Sequence, residues 1–179
     1  DGHIHIESTM LTCPEFAKTA VSHGTTAVIA DPHEIANVSG KDGLRYMIES
    51  SEGLPLTVYF VIPSCVPATS FDESGAVLSA DDIEEFYSES RVLGLGEVMN
   101  YVGVVAGDGE LEKKIKSALS RGLVVNGHAP LLSGKPLDKY ISAGIGDDHE
   151  CSSADEAKER IRKGQRIMIR QGTAARNLS

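Results

Sequence analysis

The 179-residue chain is 41% hydrophobic, enough for a sizeable core in one domain, and holds no apolar run near the roughly 20 residues that a membrane span needs. A formal charge of −9, no Trp and only 5% aromatics argue against a nucleic-acid surface, which wants clustered Lys and Arg with stacking rings. A small molecule is the expected partner.

The N-terminal Asp1-Gly2-His3-Ile4-His5 lacks the basic and apolar regions of a signal peptide. Cys13, Cys65 and Cys151 are odd in number and far apart, which suits reduced thiols in a cytoplasmic protein.

Short β-branched runs alternate with amphipathic stretches, the signature of βα units around a parallel sheet. A first strand at Ile4–Ile6 leads to a helix over Pro14–His23, with Pro14 in its first turn and Gly24 as its stop. Strands are expected at Thr25–Ala30, Leu56–Ile62, Val92–Leu95, Leu123–Val125, Gly144–Asp148 and Arg166–Ile169. Helices are expected at Lys41–Glu52, Ala80–Ser88, Glu110–Arg121, Pro136–Ala143 and Ala154–Lys163, and a last one begins near Thr173. The sum is an α/β chain of about seven βα units, read as an incomplete (β/α) TIM-type barrel without its eighth strand and as a single partial domain over 1–179. An open doubly wound sheet is the alternative.

In parallel α/β folds, reactive groups sit at the C-terminal ends of strands. Ligand-type side chains stand at nearly every such end here. His3 and His5 lie on the first strand; Asp31, His33 and Glu34 follow the second, Ser64 the third and Glu97 the fourth. His128 follows the fifth, Asp148, His149 and Glu150 the sixth, and Arg170 the seventh. Alternation along a strand turns His3 and His5 to the same side, a chelate for a divalent transition metal. Four of the six histidines (His3, His5, His128, His149) fall at ends of three different strands, which favours metal ligation over scattered structural histidines. Glu97, between flexible glycines in Gly94-Leu95-Gly96-Glu97, is the candidate carboxylate bridge between two ions; an N-cap or surface Glu is the alternative. His33 can ligate metal, bind substrate, relay protons or mark a plain turn. His23 suits a helix C-terminus and the acidic run Asp72–Glu89 a solvated face.

The ordered set DGHIHIESTML, ADPHEIANV, IPSCVPATSFDESGA, GLGEVMN, GHAP, DDHE and MIRQGTAARNL, running from Asp1 to Ser179, resembles the adenine deaminases of the amidohydrolase superfamily. The resemblance implies a (β/α) barrel with a binuclear manganese or iron centre, zinc being a further option. It assigns His3 and His5 to the metal pair, Glu97 to the bridge, and His128 and His149 to the second metal. It implies hydrolytic deamination of adenine to hypoxanthine and ammonia in purine salvage. Protonating the departing ammonia needs a general acid, and the purine nitrogens need partners. Glu150 and His33 are the catalytic candidates; Asp31, Glu34, Ser64 and Arg170 are the substrate-binding ones.

The family pattern also places a metal-binding Asp after an eighth strand, and this sequence ends before such a strand, so this chain alone is expected to be impaired in turnover. Another binuclear amidohydrolase acting on cyclic amides is the enzymatic alternative, although such relatives bridge their metals with a carboxylated Lys where this chain has Glu97. A catalytically dead metal-binding barrel fragment is the non-enzymatic one. Open strand edges would favour a homo-oligomer.

Overall fold

Alternating apolar and amphipathic stretches fold as βα units, and the computed structural model describes residues 1–69, 71–172 and 175–177. In chain order the elements are α1 (Cys13–Ser22), β1 (Ala27–Ala30), α2 (His33–Ser50), β2 (Thr57–Ile62), α3 (Ala80–Glu84) and β3 (Val92–Val98). They continue with α4 (Tyr101–Ala106), α5 (Gly109–Ser120), β4 (Val124–Gly127), α6 (Gly134–Ser142), β5 (Asp147–Asp148), α7 (Ala154–Arg162) and β6 (Arg166–Ile167).

β1, β2, β3 and β4 form one parallel sheet in that order, and β5 pairs with β6 in parallel. Ile4 extends the first sheet by a single parallel bridge to Ala30. No ladder joins β4 to β5. Instead the Gly146 N–H donates to the Val125 carbonyl at 3.0 Å, and the Gly127 N–H donates to Asp147 Oδ1 at 2.9 Å. Strands therefore follow one another in space as in sequence, all parallel, in the curl of an incomplete TIM-type barrel. That connectivity gathers every strand's C-terminal end at one rim.

The strands bury Val28, Phe60, Ile62, Leu95 and Val125 against helix stripes that include Ala17, Leu44, Met47, Ile115 and Ala118. Each fully buried large aliphatic or aromatic side chain contributes roughly 1.5–3 kcal/mol relative to exposure. Helix starts are set locally. Asp108 Oδ1 accepts the Glu110 and Leu111 N–H groups at α5, and Ser153 Oγ accepts the Glu156 N–H at α7. At α3 a reciprocal box forms between Ser79 and Asp82. The connection from β2 to α3 is held at both ends by one buried lysine of α5: Lys114 Nζ donates to Ser64 O at 2.9 Å and to Leu78 O at 2.6 Å.

Four local features differ from the sequence expectation. The first expected strand is one bridge at Ile4, where the Ile4 N–H donates to the Ile29 carbonyl and the Asp31 N–H to the Ile4 carbonyl, with the Ile29 N–H donating to the Asp1 carbonyl before it. β3 runs past Leu95 to Val98, so Glu97 stands within the strand and not after it. The second helix begins at His33, well before Lys41, and is broken at Gly40, where φ is 57° and a Cβ would meet that of Ala76 at 2.9 Å. α4 was not expected at all. Its β-branched residues suggest a strand, but Asn100 Oδ1 accepts the Gly103 N–H at 2.8 Å and starts a helical turn.

Thr173, where a last helix was expected to begin, lies outside the described residues. On either side of it, Gln171 and Arg176 form an antiparallel bridge. Cys13, Cys65 and Cys151 are buried free thiols. Among the described residues no helix is long and apolar enough to cross a membrane.

Candidate metal centre

Glu97 occupies the middle of the rim, 3% exposed, and five imidazoles surround its carboxylate. Oε2 lies 2.7 Å from His128 Nδ1, 2.9 Å from His149 Nε2 and 3.8 Å from His3 Nε2. Oε1 lies 3.2 Å from His33 Nδ1 and 3.6 Å from His5 Nε2. One side chain thus faces groups from the N-terminal segment, the start of α2, and the ends of β4 and β5.

The histidines also meet one another. His3 Nε2 and His5 Nε2 are 3.2 Å apart, and the rings of His3 and His149 stack with centroids 4.0 Å apart. His5 Nδ1 lies 2.9 Å from the Asp31 carbonyl, which can only accept. That nitrogen therefore carries the proton, and the Nε2 lone pair is left to face the cluster.

Charge follows from burial and neighbours. Burial, aided by the positive potential of His149, pushes His3 down to about 3, so its ring is neutral at physiological pH. Burial works against a charged His33 as well, but the Asp31 carboxylate beside it, with Glu97 and Glu34, outweighs burial and lifts it to about 9. Burial opposes ionisation of Glu97, yet the hydrogen bonds from His128 and His149 hold its carboxyl far below the usual range. His128 is raised, its burial outweighed by Glu97.

Asp31 is fully buried, and its Oδ2 accepts the Glu97 N–H at 2.7 Å. Gly96 makes this contact feasible, since a Cβ there would lie 2.3 Å from the same oxygen. Ser64, also buried, donates its hydroxyl to the Glu97 carbonyl at 2.6 Å. Both residues, expected against substrate, hold the Glu97 backbone with one polar atom, while Asp31 Oδ1 lies 3.5 Å from His33 Nδ1. Glu150 stands at the rim with Oε1 3.4 Å from His149 Nε2, and Arg170 grips it through two contacts of 2.6 and 3.1 Å. Glu34 is exposed and accepts the Ser8 hydroxyl.

The donor set suits cations. Three groups, each with its ligand atoms within 4.8 Å of one another, share Glu97: His3 with His5, His128 with His149, and Asp31 with His33. Buried His3 Nδ1, His149 Nδ1, His33 Nδ1 and Asp31 Oδ1 have no hydrogen-bond partner among the described residues. Imidazoles converging on one carboxylate match the nitrogen-and-oxygen ligation of divalent transition metals. Of the buried side chains Asp148, Tyr140 and Arg160 that adjoin the cluster, Asp148 is among the strand-end residues named from the sequence but carries no assigned role there, and Tyr140 and Arg160 are not singled out.

The profile of the Amidohydrolase family matches residues 1–175. The chain is 54% identical over 178 residues to an adenine deaminase of Clostridium acetobutylicum, covering 99% of this chain and 31% of that protein. It is 51% identical over 178 residues to adenine deaminase 2 of Carboxydothermus hydrogenoformans, with 99% and 31% covered. It is 50% identical over 179 residues to an adenine deaminase of Desulfatibacillum aliphaticivorans, with 100% and 32% covered. The chain spans about a third of the length of the curated relatives it matches.

Proposed function

The chain belongs to the amidohydrolase family, and from that premise we propose that it carries the metal-holding part of a hydrolase that deaminates adenine to hypoxanthine and ammonia, in purine salvage. The observation that carries this reading is the Glu97 carboxylate set between two histidine pairs. His3 and His5 would hold one divalent ion, His128 and His149 the other, and Glu97 would give an oxygen to each. Manganese or iron is our preferred pair of ions, with zinc compatible. Such ions act as Lewis acids and make water acidic near neutral pH.

The chain's own residues then divide the remaining work. His33, 3.2 Å from Glu97 Oε1, stands where a proton can pass between the cluster and a ligand above it. Glu150, fixed by the two-point grip of Arg170, presents a carboxylate at the rim for a purine N–H or for the departing amine. Arg170 and the outer Glu34 complete our substrate-facing set. Asp31 and Ser64 we assign to holding the Glu97 backbone. We further propose a cytoplasmic setting, in keeping with three free thiols, a single partial barrel domain over 1–179, and self-association through the open sheet edges.

Two measurements on the purified chain test this. Manganese titration should give two ions per chain, and Glu97→Gln should lose at least one of them. Ammonia release from adenine, with manganese supplied, should fall to background in the same variant. A chain that binds two ions yet releases no ammonia overturns the deaminase reading for this chain and leaves a metal-binding barrel segment.

A further inference from the structure

The segment that carries His128 is held in an unusual way. β4 ends at Gly127, and the next two N–H groups donate to buried side chains instead of a neighbouring strand. The His128 N–H donates to the Tyr140 hydroxyl at 2.8 Å, and the Ala129 N–H donates to Asp148 Oδ2 at 2.9 Å. The Ala129 carbonyl accepts from Arg160 Nη2. The same side chains reach the other parts of the cluster. Tyr140 donates its own proton to the carbonyl of Val98, the neighbour of Glu97, at 2.9 Å. Asp148 Oδ1 accepts the N–H of Glu150, the neighbour of His149, at 2.7 Å.

Tyr140 comes from α6, Asp148 from β5 and Arg160 from α7, and all are fully buried. This is an expensive way to fill space. Arg160 Nε lies 3.6 Å from Asp148 Oδ2, and Nε and Nη1 have no hydrogen-bond partner among the described residues. A buried ion pair so loosely satisfied stabilises a fold no better than apolar side chains of the same volume. What the trio supplies is position, because its backbone bonds end on His128 itself and on Val98, Ala129 and Glu150, the residues next to Glu97, His128 and His149.

We propose that Tyr140, Asp148 and Arg160 are positioning residues that form a backbone cradle, fixing His128 against Glu97 and His149 and so setting the affinity of the second metal position. The proposal rests on the metal reading above, and its test separates the two. Tyr140→Phe removes one oxygen and keeps the ring, so the chain should fold with its urea midpoint little changed. In the metal-free chain, hydrogen exchange at the His128 amide should accelerate about tenfold or more, with exchange at core amides such as Phe60 unchanged. Manganese titration should then show one ion bound as in the wild type and the other weakened about 10–100-fold, the usual effect of removing a group that orients a ligand.

Arg160→Lys, which keeps a donor for the Ala129 carbonyl, should recover part of what Arg160→Met loses. Should both arginine variants fail to fold, Tyr140→Phe decides alone. Unchanged exchange at His128, or faster exchange with both manganese affinities within about twofold of wild type, overturns the cradle. A wild-type chain that binds no manganese overturns the metal reading itself, and the exchange result then shows whether the cradle holds His128 for another purpose.

Discussion

At Gly96 no larger residue fits. The Asp31 oxygen that would stand 2.3 Å from its Cβ is the one that accepts the Glu97 N–H, so the space is filled by the contact that places the central carboxylate. Gly96→Ala should force Asp31 or β3 aside, lowering stability by about 1–3 kcal/mol and weakening manganese binding. The two residues touch, so the penalty should shrink when Gly96→Ala is made in an Asp31→Ala background. Urea midpoints around that double-mutant cycle check it, and strictly additive costs would reject the steric account. The ligand candidates were legible at this scale because strand alternation and strand-end position are written in consecutive residues: His3 and His5, Glu97, His128, His149. Tyr140 and Arg160 were not. Tyr140 falls in an amphipathic helix beside Leu137, where an aromatic ring reads as core filling, and Arg160 falls in the charged run Ala154–Lys163. Their roles depend on peptide groups 12 to 42 residues away, which no local pattern records.

Elements are held together by polar contacts as specific as those in the site. Lys114 closes the β2–α3 connection by donating to carbonyls at its two ends, and burial pushes its own ammonium down. Lys114→Met keeps the bulk but leaves both carbonyls without their donor. A loss of about 1–3 kcal/mol in urea unfolding is expected, with faster proteolysis within residues 66–77. Wild-type cleavage rates there would count against the lysine as the clasp.

The capping box of α3 gives a pH signature. The Ser79 hydroxyl, then the Ser79 N–H and Lys41, hold Asp82 down from 3.8 to about 2. A carboxyl lowered by folding contributes stability that is full above its unfolded value and is lost as pH falls through the folded one. The stability gap between wild type and Asp82→Asn should therefore be constant from about pH 7 to 5 and close between about pH 4 and 2. A gap that widens on acidification would contradict the assignment. Helix phase made α5 legible, since Leu111, Ile115 and Ala118 recur at helical spacing. The same logic missed α4, where one side-chain cap overrides a β-branched run, and the first half of α2, where Gly40 interrupts the repeat.

For the whole molecule, the alternation of strand and helix was enough to give the parallel curl, because right-handed βα connections leave few other arrangements. What sequence could not give is the seam in it. Between β4 and β5 the backbone ladder is reduced to one bond, Gly146 N–H to Val125 O, beside Asp147, whose Oδ1 accepts the Gly127 N–H at 2.9 Å and whose Oδ2 accepts from Asn126 Nδ2 at 2.6 Å. The seam passes through the cluster. His3, His5, His33, Glu97 and His128 sit on the four-stranded side, while His149, Glu150 and Arg170 sit on the side of β5 and β6.

Separation of the two sheets would pull His149 from its place 2.9 Å from Glu97 and 3.4 Å from His128, yet leave His3 and His5 where they are. Asp147→Ala is thus expected to cost about 1–3 kcal/mol, from a buried N–H left without its acceptor. It should also expose the Gly127 amide to exchange and weaken one manganese position while sparing the other. Asp147→Asn, which still offers one carbonyl oxygen to Gly127, should fall between wild type and Asp147→Ala on all three measures. Equal weakening of both manganese positions would mean that the curl yields as a single body, and that the seam is a gap in hydrogen bonding with no mechanical consequence for the site.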